Sequence, residues 1–265
     1  MKFYLVLSLL VGPFFVCGCV ATKSGVSSGA VVDSKAGGSR TNILNKISCK
    51  KLGDQTKIAF FDADSTLRIS RDGHVSANAV DDVYVLPYVS QKIKDLNDRK
   101  YVVAVVSNQG GVSAGMVSYE VASGALKFMA SQIEKLGGVI DYIAMAPDKD
   151  AFKKPNTGMA DELFNFIRTS CRKDVNKADS FMVGDFAYTK EQRDAHGNQG
   201  DDFADTDRLF AEHVGVGFYD ATDYFGWYPL GIRNISKPND LTDFLRILDK
   251  KDRTEADLIR KINGI

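Results

Sequence analysis

Residues 58–73 read IAFFDADSTLRISRDG. Four apolar residues, Ile58 to Phe61, run straight into two aspartates spaced by one residue, Asp62 and Asp64. A short unbroken apolar run predicts a strand buried on both faces, as in a parallel sheet. Carboxylates at the end of such a strand are costly to bury unless something compensates them. The stretch therefore predicts a fold and, at the strand's end, a place where charge has a use.

Outward from it, similar runs predict strands over Lys57–Phe61, Tyr101–Val106, Val139–Ala146, Phe181–Val183 and Val214–Phe218. Amphipathic stretches between them predict helices over Pro87–Arg99, Ser118–Leu136, Thr157–Cys171 and Asp205–Glu212. Pro87 suits a first helical turn and Gly137-Gly138 a helix stop. The alternation predicts a single doubly wound α/β domain with a parallel central sheet and helices on both faces. The segment LTDFLRILDKKDRTEADLIRKINGI, from Leu241, has apolar residues at helical intervals and predicts one or two amphipathic helices closing the domain. There is no internal repeat and no G-x-x-x-x-G-K-[ST] phosphate loop.

Bulk composition selects no function. The 265 residues are 44% hydrophobic and 26% charged, with 34 basic and 34 acidic side chains. Zero net charge excludes a global field that draws in nucleic acid or anionic lipid, though a local basic groove stays open. The amino terminus, MKFYLVLSLLVGPFFVCGCV, carries Lys2 and then an apolar stretch to Val16, the layout of a secretory signal peptide. Val16-Cys17-Gly18-Cys19 resembles a bacterial lipobox, which predicts an exported protein, periplasmic or held to the membrane by a lipid on Cys19, with a plain cleaved signal or an uncleaved anchor as the alternatives. Residues 20–48, rich in Ser, Gly and Ala over most of their length, predict a flexible linker, and 49–265 the folded domain. Cys49 and Cys171 are expected as separate thiols slightly ahead of a disulfide, since two cysteines in a sequence give no geometry.

In doubly wound sheets ligands sit beyond the carboxyl ends of the strands. There this sequence places Asp62 and Asp64, then Ser107, Asn108, Gln109 and two glycines, then Lys153 and Lys154, then Gly184 and Asp185. An aspartate can attack a phosphoryl group, and a second carboxylate can protonate the leaving oxygen and later deprotonate water. Clustered carboxylates favour a hard divalent cation such as Mg²⁺. A lysine, a hydroxyl and backbone N–H groups can hold the remaining phosphoryl oxygens.

DADST, VVSNQGG, KKPNTGM and MVGD, in this order, resemble the four motifs of the haloacid dehalogenase superfamily of phosphohydrolases. FDADSTLRISRDG, SNQGGVSAG and DDFADTDRLFAEHVGVGFYDATDYF are more closely similar to the 3′-phosphatase domain of polynucleotide kinase 3′-phosphatases, over roughly residues 55–230. The resemblance implies a Rossmann-like fold, Mg²⁺ and an aspartyl-phosphate intermediate. It implies Asp62 as nucleophile, Asp64 as general acid/base, Ser107 and Lys154 on the phosphoryl group, and Mg²⁺ held by Asp62, Asp185 and the backbone carbonyl of Asp64. Thr66 and Asn108 are taken as substrate-binding by the same motifs. Ser65 stands where the family often has glycine, and Phe186 follows Asp185 where many relatives have a second acid, a role open to Asp202 or Asp207. Nothing in the sequence resembles a kinase domain, so phosphatase activity alone is expected.

Arg68 and Arg71 could touch backbone phosphates of 3′-phosphorylated DNA, or be solvated loop charge. Three readings stay open: a polynucleotide 3′-phosphatase, an exported phosphatase of small metabolites such as nucleotides or sugar phosphates, and a non-catalytic surface lipoprotein. No protein partner is evident. His74, His196 and His213 are scattered without metal-ligand spacing, and Trp227 is expected to pack rather than stack a base.

Overall fold

The computed structural model describes residues 41–188, 204–232 and 235–265. The expected signal peptide and most of the expected linker lie outside them. In chain order the elements are β1 (Asn42–Asn45), β2 (Gln55–Phe61), β3 (Arg68–Ile69), β4 (Tyr84–Val85), α1 (Val89–Asp98), β5 (Tyr101–Asn108), α2 (Tyr119–Glu134) and β6 (Tyr142–Ala146). Then come α3 (Gly158–Thr169), β7 (Asp174–Val175), β8 (Phe181–Gly184), α4 (Thr206–Val214), β9 (Gly217–Asp220), α5 (Ala221–Tyr224), α6 (Pro238–Lys251) and α7 (Arg253–Asn263).

The main sheet runs β1-β6-β5-β2-β8-β9, and the short β7 pairs with the start of β2. Strands β6, β5, β2, β8 and β9 are parallel, while β1 is antiparallel to β6 at the edge. The predicted fold class is observed, with this one antiparallel strand added.

Alternation along β2 explains its unbroken apolar run. Ile58 and Phe60 bury against Met159 and Leu163 of α3 and Phe210 of α4. Ala59 and Phe61 face the other way, into a core with Ile93 of α1, Leu126 and Met129 of α2, and Phe244 of α6. Each large side chain buried this way contributes roughly 1.5–3 kcal/mol, so a polar residue on either face is excluded. Trp227 belongs to the second core, stacked on Phe225 and donating from Nε1 to Pro87 O at 3.1 Å. It packs, as expected.

Several features depart from the sequence reading. β1 falls inside the expected linker, because its backbone pairs with β6 from Tyr142 to Ala144. The run from Val214 does not begin a strand: α4 ends there, Gly215 adopts a left-handed φ of 80°, and β9 starts at Gly217. β3 and β4 form a separate hairpin, whose outer edge is closed by the Asn263 side chain bonding both the N–H and the C=O of Val85. Cys49 and Cys171 form a disulfide, contrary to the preference for separate thiols, because the turn after β1 comes within 4.9 Å (Cα to Cα) of the chain just beyond α3. Among the described residues no helix is long and apolar enough to cross a membrane.

Candidate active site

Asp62 follows β2 directly, and its N–H continues the ladder by donating to Val183 O at 2.9 Å. The backbone is thus held at the carboxyl end of the sheet while the side chain enters the site. The next residues form a tight turn in which Leu67 and Arg68 both donate to Ala63 O and Ser65 donates to Arg68 O. Ser65 sits at the bend with φ of 58°, the left-handed conformation that explains why glycine is usual there.

Lys154 is 2% exposed, and its Nζ lies 2.5 Å from Asp62 Oδ1 and 2.7 Å from Asp207 Oδ1. Asn108 positions the lysine loop rather than facing outward: its side chain donates to Lys154 O and accepts from Lys154 N. Asp64 accepts from Arg68 Nε at 3.0 Å and from Gln109 Nε2 at 2.8 Å, and Gln109 also donates to Ser107 Oγ at 2.8 Å. Asp185 accepts from Thr66 Oγ1 at 3.3 Å, so the buried Thr66 supports a carboxylate. Asp62, Asp64, Ser107, Lys154 and Asp185 come from four separate segments, and contacts join Lys154 to Asp62 and, through Gln109, Ser107 to Asp64.

Asp207 completes the cluster. It is 1% exposed, and hydrogen bonds to the Phe186 backbone hold it beside Asp185 across the intervening segment. Asp62, Asp185 and Asp207 each offer one oxygen, and these atoms lie within 4.8 Å of one another. Lys154 pairs with two of these acids, and three carboxylate oxygens brought this close form a donor set that fits a hard divalent cation. Burial, with help from Asp207 and Asp64, pushes Asp62 up to about 7 despite Lys154. Burial acts to lower Lys154, but Asp207 and Asp62 outweigh it and hold the ammonium protonated.

The two arginines are placed differently from the sequence reading. Arg68 is 1% exposed, paired with Asp64. Arg71 donates to Val83 O and Asn263 O and lies over the Tyr84 ring, tying the β3–β4 hairpin to α7. His74 pairs with Asp72, and His213 Nδ1 meets Pro155 O. Asp202 and His196 lie outside the described residues. Sequence reasoning left Asp207 as one of two options and gave Gln109 no role; its place in SNQGG, directly after a strand, was the available signal.

Residues 57–225, from the third residue of β2 to just past α5, match the family model described as polynucleotide kinase 3 phosphatase. The chain belongs to the polynucleotide kinase 3 phosphatase family. It is a phosphoric monoester hydrolase by family, as the motifs imply. An uncharacterized 20.8 kDa protein of Autographa californica nuclear polyhedrosis virus is 32% identical over 62% of this chain and 83% of its own length. The bifunctional polynucleotide phosphatase/kinase of Schizosaccharomyces pombe is 30% identical over 66% of this chain. This family member spans only 39% of the yeast protein's length. The D-glycero-beta-D-manno-heptose-1,7-bisphosphate 7-phosphatase of Haemophilus ducreyi is 28% identical over 49% of this chain and 72% of its own.

Proposed function

We propose that the protein is a Mg²⁺-dependent phosphomonoesterase that works through an aspartyl-phosphate on Asp62, with 3′-phosphorylated polynucleotide ends as substrate. The observation that carries the mechanism is Asp62 seated between Lys154 at 2.5 Å and the carboxylates of Asp185 and Asp207. An Asp62 oxygen attacks phosphorus, and the bond to the leaving oxygen breaks as Asp64 supplies its proton. Water then attacks phosphorus while Asp64 takes back a proton, and the bond from phosphorus to the Asp62 oxygen breaks to release inorganic phosphate and the free carboxylate. Lys154 offsets the charge on the phosphoryl oxygens from a buried position, where an ammonium acts more strongly than in water. Ser107 binds the same group, its hydroxyl oriented by Gln109. Asp62, Asp185 and Asp207, with the backbone carbonyl of Asp64 as the resemblance implies, would hold Mg²⁺, which when bound neutralises charge on the phosphoryl oxygens.

Family membership and the yeast relative support a polynucleotide substrate. The heptose bisphosphatase relative supports a second reading, a phosphatase of small sugar phosphates or nucleotides. A 3′-phosphorylated oligonucleotide, a mononucleotide and a sugar phosphate, assayed side by side with and without chelator, separate the two. The first reading requires kcat/KM to favour the oligonucleotide; equal or lower efficiency rejects it. Asp62→Asn turning over any ester at more than a trace rejects the nucleophile.

We further propose that the domain works after export, as a periplasmic protein or one anchored through a lipidated Cys19. The Cys49–Cys171 disulfide supports an oxidising compartment, and the amino-terminal apolar stretch supports the route. Detergent partitioning of the full chain beside Cys19→Ser tests the anchor. Identical partitioning of the two rejects it.

A further inference from the structure

Asp64 is gripped from two sides, by Arg68 Nε on Oδ1 and Gln109 Nε2 on Oδ2. Arg68 is almost wholly buried, and among the described residues its Nη1 and Nη2 make no hydrogen bond. Its one ion-pair partner among them is Asp64. A sealed guanidinium that uses so few of its donors is a poor way to hold a fold together: replacing a buried ion pair by apolar side chains is often neutral or stabilising. Nor does the turn need it, since backbone bonds from Leu67, Arg68 and Ser65 already close it. Contact with substrate is blocked too, because both Nη atoms are shut off from solvent.

What the guanidinium supplies is a fixed direction for one carboxylate. We propose that Arg68 is a positioning residue which, with Gln109, locks Asp64 in the orientation needed to hand a proton to the leaving oxygen. Each Asp64 oxygen keeps a second lone pair outside these bonds, so the group can carry and deliver that proton while held. As the Asp62–phosphorus bond forms and the phosphorus–oxygen ester bond breaks, the proton passes from Asp64 to the departing alkoxide. In hydrolysis, water gives a proton to Asp64 as its oxygen bonds phosphorus and the Asp62–phosphorus bond breaks. A misplacement of about 1 Å in such a group costs on the order of 10²-fold in rate.

The proposal rests on Asp64 being the general acid, and the test separates the two. Arg68→Lys keeps the positive charge and loses the planar Nε donor; Gln109→Met removes the other grip without touching charge. Both are assayed with Asp64→Asn on two esters, an aryl phosphate whose phenolate departs without a proton and a 3′-phosphorylated oligonucleotide whose alkoxide needs one. Thermal melts confirm that each variant is folded. Each positioning variant is expected to slow leaving-group release in the first turnover, before the hydrolysis step that both esters share, about 10²-fold more on the oligonucleotide than on the aryl ester, with KM little changed, and Asp64→Asn to show the same selectivity. If Asp64→Asn is selective but Arg68→Lys and Gln109→Met lose equally on both esters, or raise KM alone, the positioning role is overturned and the acid stands. If Asp64→Asn itself loses equally on both, the general-acid reading falls and the proposal with it.

Discussion

The carboxylate of Asp207 occupies the space that a side chain at residue 184 would fill: a methyl group on Gly184 would overlap Asp207 Oδ2. The glycine of MVGD is therefore a steric requirement of the site. It lets a buried acid from the start of α4 reach Lys154 across the end of β8. Asp207 N–H donates to Phe186 O and its Oδ2 accepts from Phe186 N, so the acid cannot step aside freely.

Gly184→Ala should push Asp207 off Lys154 and weaken both site and fold. Overpacking of this kind costs about 1–3 kcal/mol. We expect at least a tenfold fall in kcat and a lower urea midpoint. A cycle with Asp207→Asn checks the cause: the double variant should be little worse than either single one, and simple additivity would mean that Gly184 acts elsewhere.

Ser65 makes the opposite prediction. A non-glycine residue in the left-handed region carries about 1–2 kcal/mol of strain, while glycine's extra chain entropy returns about 0.5–1 kcal/mol of that. Ser65→Gly, at φ of 58°, should therefore stabilise the protein by roughly 0.5–1 kcal/mol. Urea unfolding measures it, and a lower midpoint would show that the Ser65 side chain makes up for its backbone.

How much of this was legible beforehand follows from what each feature depends on. The runs at Lys57–Phe61 and Tyr101–Val106 declare buried strands by themselves, and the acids and lysine that follow such strands converge in any doubly wound sheet. The site's positions could be read because topology alone assembles them. β1 could not, since Asn-Ile-Leu-Asn becomes a strand only by pairing with β6. β3 has just two residues and exists through β4, which in turn leans on Asn263. Arginines after a nucleophile strand look like phosphate contacts in sequence, whereas burial of Arg68 and the carbonyl partners of Arg71 appear only when the hairpin and α7 are in place. The disulfide joins positions 122 residues apart, and nothing local marks the pair.

Glu255 gives a pH dependence outside the site. It is buried at the start of α7, accepting from Tyr88 N and Gln91 Nε2, and burial raises its pKa above the usual carboxylate range. The folded protein thus holds this proton more tightly than the unfolded chain does. The resulting stability is fully present below pH ~4 and is lost as pH rises through the raised folded value. Glu255→Gln cannot titrate and keeps an acceptor for Tyr88 N. Its melting temperature should match the parent at low pH and pull ahead progressively toward neutrality. A gap that stays constant across that range would remove burial of the charge as the cause.

The Cys49–Cys171 bond should dominate the domain's resistance to unfolding. It closes a sequence separation of 122 residues, and cross-linking a loop near that size removes denatured-state entropy equivalent to about 4–5 kcal/mol. Marginal stability of roughly 5–15 kcal/mol for a typical domain makes that a large share. Cys49→Ser, Cys171→Ser and the double variant should lose the same amount, because either change deletes the same bond. Reductant should bring the parent to their level and leave the variants unmoved. Urea titrations with and without dithiothreitol measure all four proteins. Equal midpoints for parent and variants under oxidising conditions would mean that the bond does not form in solution, and would take away the compartment argument that rests on it. Peptide mass spectrometry, comparing exported protein with protein retained inside the cell, then shows where the bond is made. Linked Cys49 and Cys171 peptides are expected from the exported form alone.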